Sequence, residues 1–329
     1  MRRALATILC GFGLLPAAGA AADGGPVPPM QNGAGVTLPG SPVNFVAVGS
    51  GVSHTVVERI RRSTGAVERS RVIAGYFGIP AVAFDGSSTG LSADGRTLVL
   101  AQYPRTYTPK ATPLVVLDAI RFRERMRVTL PGMSLVDAIS PDGRWLYFIH
   151  YKDVNGTNYE VLAYDLQQRH LIAKPIVDPR EPDEKMQGQP VTRLMSADGR
   201  WAYTLYSRGP QEPFIHALDT SGRTAACVDL PLNANLDQVF EMKLRFGPGG
   251  ALQVTHNGNA LVDVNTKTFA VRAAAAPKPP SAPAPKPAAD RSDGGGQFPW
   301  ALMALPAAAV LAGLGVLARR RRRLRSAPA

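Results

Sequence analysis

The sequence predicts an all-β domain made of repeated four-stranded units, followed by one C-terminal transmembrane helix. Three observations lead to this prediction. A five-residue turn motif recurs about every 50 residues, a second apolar element ending in aspartate follows each copy, and an uncharged apolar run precedes a cluster of arginines near the C-terminus. No segment with helical periodicity competes with strands inside the repeated region.

The turn motif reads Ser-(Ala/Pro)-Asp-Gly-Arg. Proline presets φ at the first central position, the aspartate side chain bonds back to the backbone, and glycine adopts the left-handed conformation, so the motif favours a tight turn. An apolar strand precedes each copy and an alternating strand follows it, which indicates a β-hairpin. The structural turn residues are Asp94, Gly95, Asp142, Gly143, Asp198 and Gly199.

A degenerate turn copy lies at 247–250 and a further one at 39–42, and the successive intervals from Asp94 to Gly249 are 48, 56 and 51 residues. The second element reads VVLD at 115–118, LAYD at 162–165, HALD at 216–219 and LVD at 261–263. Each copy leads into a turn and another β-rich run, so each unit holds four strands. Four-stranded units at this period predict β-propeller blades, about five in number.

These repeats resemble the WD40-like and TolB-like (PD40-type) β-propeller repeat proteins, whose blades carry an S-P-D-G hairpin. The resemblance covers about residues 36–272. The copies at Asp94, Asp142 and Asp198 match the pattern, whereas Gly249 stands where the pattern has aspartate. The resemblance implies the propeller fold and does not specify a function.

Both ends of the chain carry targeting signals. Arg2 and Arg3, an apolar run and small residues up to position 22 form a predicted signal peptide, residues 1–22. At the other end, residues 298–318 are apolar and long enough to span a bilayer. The arginines of the tail 319–329 favour the cytoplasmic side. We therefore expect a single-pass type I protein of the cell membrane, with the propeller outside and the C-terminus cytoplasmic.

The segments between these signals complete the predicted organisation. An extended N-terminal segment occupies 23–34, the propeller 35–273, and a Pro/Ala-rich and then Gly-rich tether 274–297. Such a tether favours polyproline geometry and would hold the domain away from the membrane. The end of the chain also resembles the tripartite sorting tails of bacterial surface proteins, with Gly294–Gly296 as the glycine patch. Removal of the tail by a sorting protease is therefore an alternative.

The formal charge of +12 comes mostly from the two ends. Two arginines in the signal peptide, six in the tail and a tether charge of +1 leave +3 for residues 23–276, which hold 26 basic and 23 acidic residues. We therefore expect no nucleic-acid partner. Cys10 and Cys227 are the two cysteines, so Cys227 has no intramolecular disulfide partner after processing and is expected to be a small buried residue.

Loops between the second and third strands of the blades form the predicted ligand face. They combine aromatic side chains with Arg, Lys, His and Asn, residue types of which Tyr and Arg are enriched at binding hot spots. The alternative is ordinary polar turns with aromatics covering the strand ends. The predicted ligand-binding residues are Tyr103, Arg105, Tyr107, His150, Tyr151, Lys152, Tyr206, Arg208, His256 and Asn257.

A second candidate surface is the run IRFRERMRV, where arginines recur at period two. On a strand, Arg121, Arg123, Arg125 and Arg127 would project from one face. Such a strand would bind anionic polymer or lipid headgroups, or alternatively would use its charges to prevent edge pairing.

The sequence predicts a non-catalytic binding or interaction module at the cell surface. We expect its partner to be an extracytoplasmic protein or an envelope polymer, with the membrane bound through the C-terminal helix. The scattered histidines and the lack of nucleophile or metal motifs predict no catalytic residue, metal or cofactor. The alternative is a hydrolase or lactonase-like propeller with carboxylates or a metal at the central channel, for which Asp137 is the best candidate.

Overall fold

The computed structural model describes residues 33–50, 53–102, 109–153, 158–183 and 186–274. The predicted signal peptide, nearly all of the predicted tether, the membrane segment 298–318 and the basic tail lie outside these ranges, as do Tyr103, Arg105 and Tyr107. Within them, no helix is both long and apolar enough to cross a membrane.

The described residues form an all-β fold of five antiparallel sheets, as the repeats predict. In each sheet the spatial order of the strands follows the chain. Sheet 1 contains β1 (Val43–Ser50), β2 (His54–Arg61) and β3 (Val67–Ala74). Sheet 2 contains β4 (Phe77–Gly78), β5 (Thr97–Gln102), β6 (Ala111–Asp118) and β7 (Arg123–Pro131). Sheet 3 contains β8 (Met133–Ile139), β9 (Trp145–Tyr151), β10 (Tyr159–Asp165) and β11 (His170–Ile172).

The remaining two sheets are also four-stranded. Sheet 4 contains β12 (Gln189–Met195), β13 (Trp201–Arg208), β14 (Gln211–Asp219) and β15 (Thr224–Asp229). Sheet 5 contains β16 (Lys243–Phe246), β17 (Leu252–His256), β18 (Asn259–Val264) and β19 (Val271–Ala273). A short helix, α1 (Leu236–Glu241), precedes sheet 5 and begins with a capping box between Asn235 and Gln238.

Sheet 1 is completed by a single bridge between Val36 and Phe45 of β1. The turn at 39–42 therefore lies between this rudimentary strand and β1, just as the turn at 247–250 lies between β16 and β17. Both degenerate copies of the turn motif thus occupy the position that the full motif occupies in sheets 2, 3 and 4. All four sheets of four strands and the extended sheet 1 are consistent with propeller blades.

The core consists of apolar clusters between consecutive sheets. One cluster joins sheets 1 and 2, a second joins sheets 2 and 3, a third joins sheets 3 and 4, and a fourth joins sheets 4 and 5. Alternation along the strands explains this arrangement, because successive side chains point to opposite faces. On β5, for example, Leu98 and Leu100 face sheet 1, whereas Val99 and Ala101 face sheet 3.

The Asp-Gly turns share one hydrogen-bonding scheme. In sheet 3, the hydroxyl of Ser140 donates to Asp142 Oδ1 at 2.5 Å and accepts from the amide of Trp145 at 2.8 Å. Asp142 Oδ1 also accepts from the amide of Arg144 at 3.0 Å. The turns in sheets 2 and 4 repeat these bonds. The glycine that follows each aspartate has a φ between 68° and 72°, which favours glycine.

These turns lie against one another. The amide of Asp94 donates to the carbonyl of Pro141 at 3.1 Å, which joins the turns of sheets 2 and 3. A Cβ added at Gly199 would lie 2.4 Å from Cβ of Ala93, so the turn of sheet 4 also packs against that of sheet 2. The turn motif therefore shapes each hairpin and also brings three sheets together.

The second repeated element ends each third strand with another turn. Its aspartate accepts two amides from the following residues: Asp165 Oδ1 bonds Gln167 and Gln168 at 2.8 and 2.9 Å. Each of these turns is closed by a residue of positive φ whose backbone amide donates to the carbonyl of the aspartate. These residues are Phe122, Arg169 and Arg223. In sheet 5, Asn265 takes the place of the aspartate and Phe269 closes the turn.

An ion pair links the two repeated elements in sheets 3 and 4. Arg144 of the turn motif bonds Asp165 with Nη2–Oδ2 of 2.8 Å, and Arg200 bonds Asp219 at 2.6 Å. Burial alone would raise the pKa of Asp165, but the bonds from Arg144 and from two amides lower it below its ordinary value. The arginine of the motif therefore holds the second and third strands of a sheet together at the turn end.

Replacement of Gly143 by alanine should destabilise the domain more than replacement of Gly65. Both glycines have positive φ, of 70° and 71°, so each change costs about 1–2 kcal/mol of backbone strain. A Cβ at Gly143 would also lie 2.3 Å from the buried Thr97 hydroxyl, whereas a Cβ at Gly65 meets nothing within 4 Å. This overlap should add about 1–3 kcal/mol.

Urea unfolding of the full chain would measure both variants. Equal losses of stability in Gly143→Ala and Gly65→Ala would contradict the close packing of the turns of sheets 2 and 3.

Candidate functional site

The segment between β4 and β5 reaches from sheet 2 to sheets 4 and 5. Residues 79–91, here called the central strap, bond to first strands of other sheets. The amides of Phe84 and Asp85 donate to the carbonyls of Pro190 and Val191 near the start of β12, at 2.9 and 3.2 Å. Within the strap, Ile79, Ala81 and Ala83 are fully or almost fully buried. Backbone hydrogen bonds therefore tie the strap of sheet 2 to the first strand of sheet 4.

Asp85 fastens the strap to sheets 4 and 5. Its Oδ2 accepts from Thr192 Oγ1 at 2.7 Å and from Lys243 Nζ at 3.1 Å, and its Oδ1 accepts from Ser87. Burial would raise the pKa of Asp85, but these hydrogen bonds lower it below its ordinary value. The ionised carboxylate is thereby held in a structural role.

Asp137 forms a second contact between an acidic side chain and another sheet. It lies on β8 and pairs with Arg193 of β12, and both side chains are almost completely buried, at 2% and 4% exposure. Arg193 also donates to the carbonyl of Asp137 at 2.9 Å and to Thr204 Oγ1 at 2.6 Å. The pair joins sheet 3 to sheet 4. The carboxylate that the sequence offers as the best catalytic candidate is thus engaged and sealed from solvent.

Arg193 is the inner end of a row of polar residues that crosses sheet 4. The strand register places Arg193 opposite Thr204, Thr204 opposite His216, and His216 opposite Cys227. These four residues therefore share the face of sheet 4 that packs on sheet 3. We call this set the polar row. It runs from the first strand of the sheet to the last.

His216 is the least accommodated member of the polar row. Its side chain is buried, and its Nε2 has no hydrogen-bond partner within the described part of the chain. The same is true of Oδ2 of Asp137. Burial lowers the pKa of His216 to about 4, against an opposing effect of the Asp137 charge. The imidazole is therefore neutral at pH 7.

Two of the predicted ligand residues, Tyr151 and Tyr206, lie inside the core between sheets 3 and 4. Their exposures are 8% and 1%. Tyr206 stacks on Phe214 with ring centroids 5.1 Å apart, and Tyr151 packs against Tyr159 at 5.5 Å. Burial raises the pKa of both tyrosines far above their ordinary value. β9 and β13 extend far enough to draw these rings into the apolar cluster, so neither ring is offered at a loop surface.

The other described residues of the predicted ligand face lie at the end opposite the Asp-Gly turns. Most are paired with acids: Lys152 Nζ lies 2.6 Å from Glu160, His256 Nε2 lies 2.9 Å from Glu241, and Arg208 pairs with Asp229. Asn257 has a φ of 51° in the turn between β17 and β18. His150 lies 3.3 Å from the hydroxyl of Ser134. These pairs make the exposed loop end polar and close to neutral.

The arginines of β7 do not share one face, and that expectation is wrong. Met126 lies opposite Val116 and Glu124 opposite Leu117, so Arg125 is the extra residue of a β-bulge. The bulge reverses the alternation. Arg127 faces sheet 1, where it bonds the carbonyl of Ala74 at 3.0 Å.

On the opposite face of β7, Arg125 Nη1 bonds the hydroxyl of Thr97 at 3.1 Å. Asp118 of β6 lies opposite Thr97 of β5 on one side and opposite Arg123 of β7 on the other, so these three side chains share one face of sheet 2. The face toward sheet 3 therefore carries Arg123 and Arg125 together.

The chain is similar to several proteins of known structure. No family model matches the chain, and no curated protein sequence matches it. Hydrazine synthase of Kuenenia stuttgartiensis is similar at 16% identity and a TM-score of 0.39, over 75% of this chain and 78% of that one. TolB from Acinetobacter baumannii is similar at 15% identity and a TM-score of 0.37, over 67% of this chain and half (50%) of that one.

A third similar structure is the β-propeller domain of Cps50 (Swd1) from Myceliophteria thermophila. It has 14% identity and a TM-score of 0.38, over 68% of this chain and 62% of that one. At such identities and TM-scores, none of these proteins assigns an activity, and the description of the fold rests on the sheets themselves.

Acidification should destabilise the domain through His216. Its pKa is about 4 when folded, against 6.5 as the ordinary value, so the folded state resists protonation. The associated stability is fully present above pH 6.5 and is lost as the pH falls from 6.5 to 4, by about 3 kcal/mol in all. Urea unfolding of the full chain between pH 4.5 and pH 7.5 would measure this slope.

His216→Gln should flatten the slope, because glutamine is polar but does not titrate. The exposed His170 provides a matched control, and His170→Gln should keep the slope of the parent protein. An unchanged slope in His216→Gln would show that another group controls the acid response.

Proposed function

We propose that this chain is an exported, membrane-anchored β-propeller of five blades that acts as a non-catalytic binding module at the cell surface. In this proposal, residues 1–22 are removed as a signal peptide and residues 298–318 form a single type I membrane helix. Residues 274–297 link the helix to the blades. The partner is an extracytoplasmic protein or an envelope polymer.

One observation carries the proposal of a binding role. Asp137 is held by Arg193 of the neighbouring sheet 4, and Asp85 is held by Lys243 of sheet 5. A general acid or base must reach the proton that it transfers. Asp137, at 2% exposure, is placed to fix two sheets together and not to meet a substrate.

The exposed loop end is suited to contact with a polar partner. Lys152 and His256 are exposed or half-buried and lie beside acidic side chains. Such paired charges resemble the polar rim of protein interfaces, which sets specificity more than affinity. A lactonase-like or hydrolytic role is the second candidate and would require a substrate site away from Asp85 and Asp137.

Protease treatment of intact cells that express the full chain would test the topology. An impermeant protease such as trypsin should release a fragment that contains the sheets, because the Arg291–Ser292 bond lies in the proposed extracellular link. An epitope after Ala329 should stay protected until the membrane is permeabilised. Protection of the sheets and digestion of the epitope in intact cells would refute the proposed orientation.

Site-specific crosslinking in the same cells would test the binding role. A photoreactive phenylalanine analogue at Lys152 or Asn257, on the loop end, should give discrete adducts with an envelope component. The same analogue at the exposed Thr64, in the turn between β2 and β3, is the matched control and should give none of these adducts. The same adducts from all three positions, or none from the loop end, would contradict binding through that end.

A further inference from the structure

The turn end of sheet 2 carries a groove that the proposed function does not use. The groove has a volume of about 620 Å³, within the range of small-molecule sites. Its lining residues are Asp94, Arg96, Asp118, Ile120, Arg121, Arg123 and Arg125. Four guanidinium groups and two carboxylates give this arginine groove a net charge of +2.

Both carboxylates of the groove are already engaged. Asp94 accepts from the Ser92 hydroxyl at 2.5 Å and from the amide of Arg96 at 2.9 Å. Asp118 accepts the amide of Arg121 at 2.7 Å and its guanidinium at 3.2 Å. The amide of Arg121, more than its side chain, lowers the pKa of Asp118 below its ordinary value. Asp118 thus pairs with the guanidinium of Arg121, whereas Asp94 is bonded by a hydroxyl and an amide and by no guanidinium among the described residues.

The guanidinium groups of the other three arginines have no acidic partner among the described residues, so they can bind an anion. Among the described residues, no ion pair or hydrogen bond engages the guanidinium groups of Arg96 and Arg123, and both residues are exposed. Arg125 bonds a neutral partner, the hydroxyl of Thr97.

Sheet 2 differs from its neighbours at this position for a specific reason. In sheets 3 and 4 the arginine of the turn motif, Arg144 or Arg200, pairs with the aspartate that ends the third strand. In sheet 2 the equivalent aspartate, Asp118, is engaged by Arg121, where the other sheets have Gln168 and Gly222. The equivalent arginine, Arg96, is thereby released toward the groove.

The β-bulge adds to this local charge. Because Arg125 is the extra residue, Arg123 and Arg125 lie on the groove side, whereas Arg127 bonds Glu124 at 2.9 Å on the other face. Ile120, which is 52% exposed, supplies an apolar wall. The groove therefore combines forked cationic donors with one apolar neighbour.

We infer that the arginine groove binds a diphosphate, either as a small soluble anion or as the headgroup of an isoprenoid-type lipid. Guanidinium groups bind phosphoryl oxygens in pairs through their planar fork. Two adjacent phosphoryl groups would engage Arg96 from the turn and Arg123 with Arg125 from the bulged strand. This inference gives the proposed binding module one specific class of ligand, and it rests on that function.

Calorimetric titration of the full chain in neutral phosphatidylcholine nanodiscs would test the inference. Sodium pyrophosphate should bind saturably, and at least about tenfold more tightly than orthophosphate, because it can contact two groups of arginines. Arg96→Gln and Arg123→Gln should each weaken the binding about tenfold or more. Both side chains are exposed, so a thermal unfolding scan should show that these variants remain folded.

Two controls separate a built site from general attraction by positive charge. Arg127→Gln removes the same charge from the opposite face of β7 and should change the affinity by less than about twofold. Arg123→Lys keeps the charge but loses the fork, and should still weaken binding several-fold. Equal losses in Arg96→Gln and Arg127→Gln, or no saturable binding at low salt, would overturn the inference.

Titration with geranyl diphosphate distinguishes the two sources of the ligand. Tighter binding of geranyl diphosphate than of pyrophosphate would indicate a lipid headgroup with its first apolar carbons near Ile120, whereas tighter binding of pyrophosphate would indicate a soluble anion. The titration does not depend on membrane orientation. Failure of the protease experiment and failure of the titration are therefore separate results.

Discussion

The positive-φ glycine in each Asp-Gly turn is the constraint on which the arrangement of the sheets depends. It lets the chain reverse in so little space that turns from different sheets touch. The amide of Asp94 reaches the carbonyl of Pro141, and Gly199 leaves room for Ala93. Sheets brought together in this way bury both of their faces. Each strand can then be apolar on two sides, as β5 is.

Polar contacts between sheets add specificity to the packing of the apolar clusters. The clusters lie between sheets in sequence, and apolar contact is not directional. Charged contacts fix which groups meet: the buried pair of Arg193 with Asp137 between sheets 3 and 4, and the more exposed contact of Asp85 with Lys243 and Thr192. Loss of Arg193 or Asp137 would leave a charge without compensation in the interior, so this pair restricts the alternatives that a repeat protein could adopt.

Local signals in the sequence predicted the repeated hairpins, because a turn motif and alternating strands act within a few residues. The central strap, the polar row and the pair of Asp137 with Arg193 could not be predicted in the same way, since their members are far apart in the chain. Tyr206 was predicted to be a ligand residue from its place beside a loop. Tyr206 lies at a spacing of two residues from Thr204 and of four from Ala202, so all three side chains share one face of β13. That spacing was the available signal that Tyr206 belongs to the core.

The β-bulge at Arg125 makes the distribution of charge depend on the number of residues in β7. Deletion of Arg125 would remove the bulge and leave Glu124 opposite Leu117 and Met126 opposite Val116, so the face toward sheet 3 would lose one arginine while the rest of β7 kept its pairing. Insertions and deletions of a single residue are therefore a route by which related sheets could gain or lose a cationic surface without any change in amino-acid type. Charge on such a surface is a property of backbone register as much as of side-chain identity.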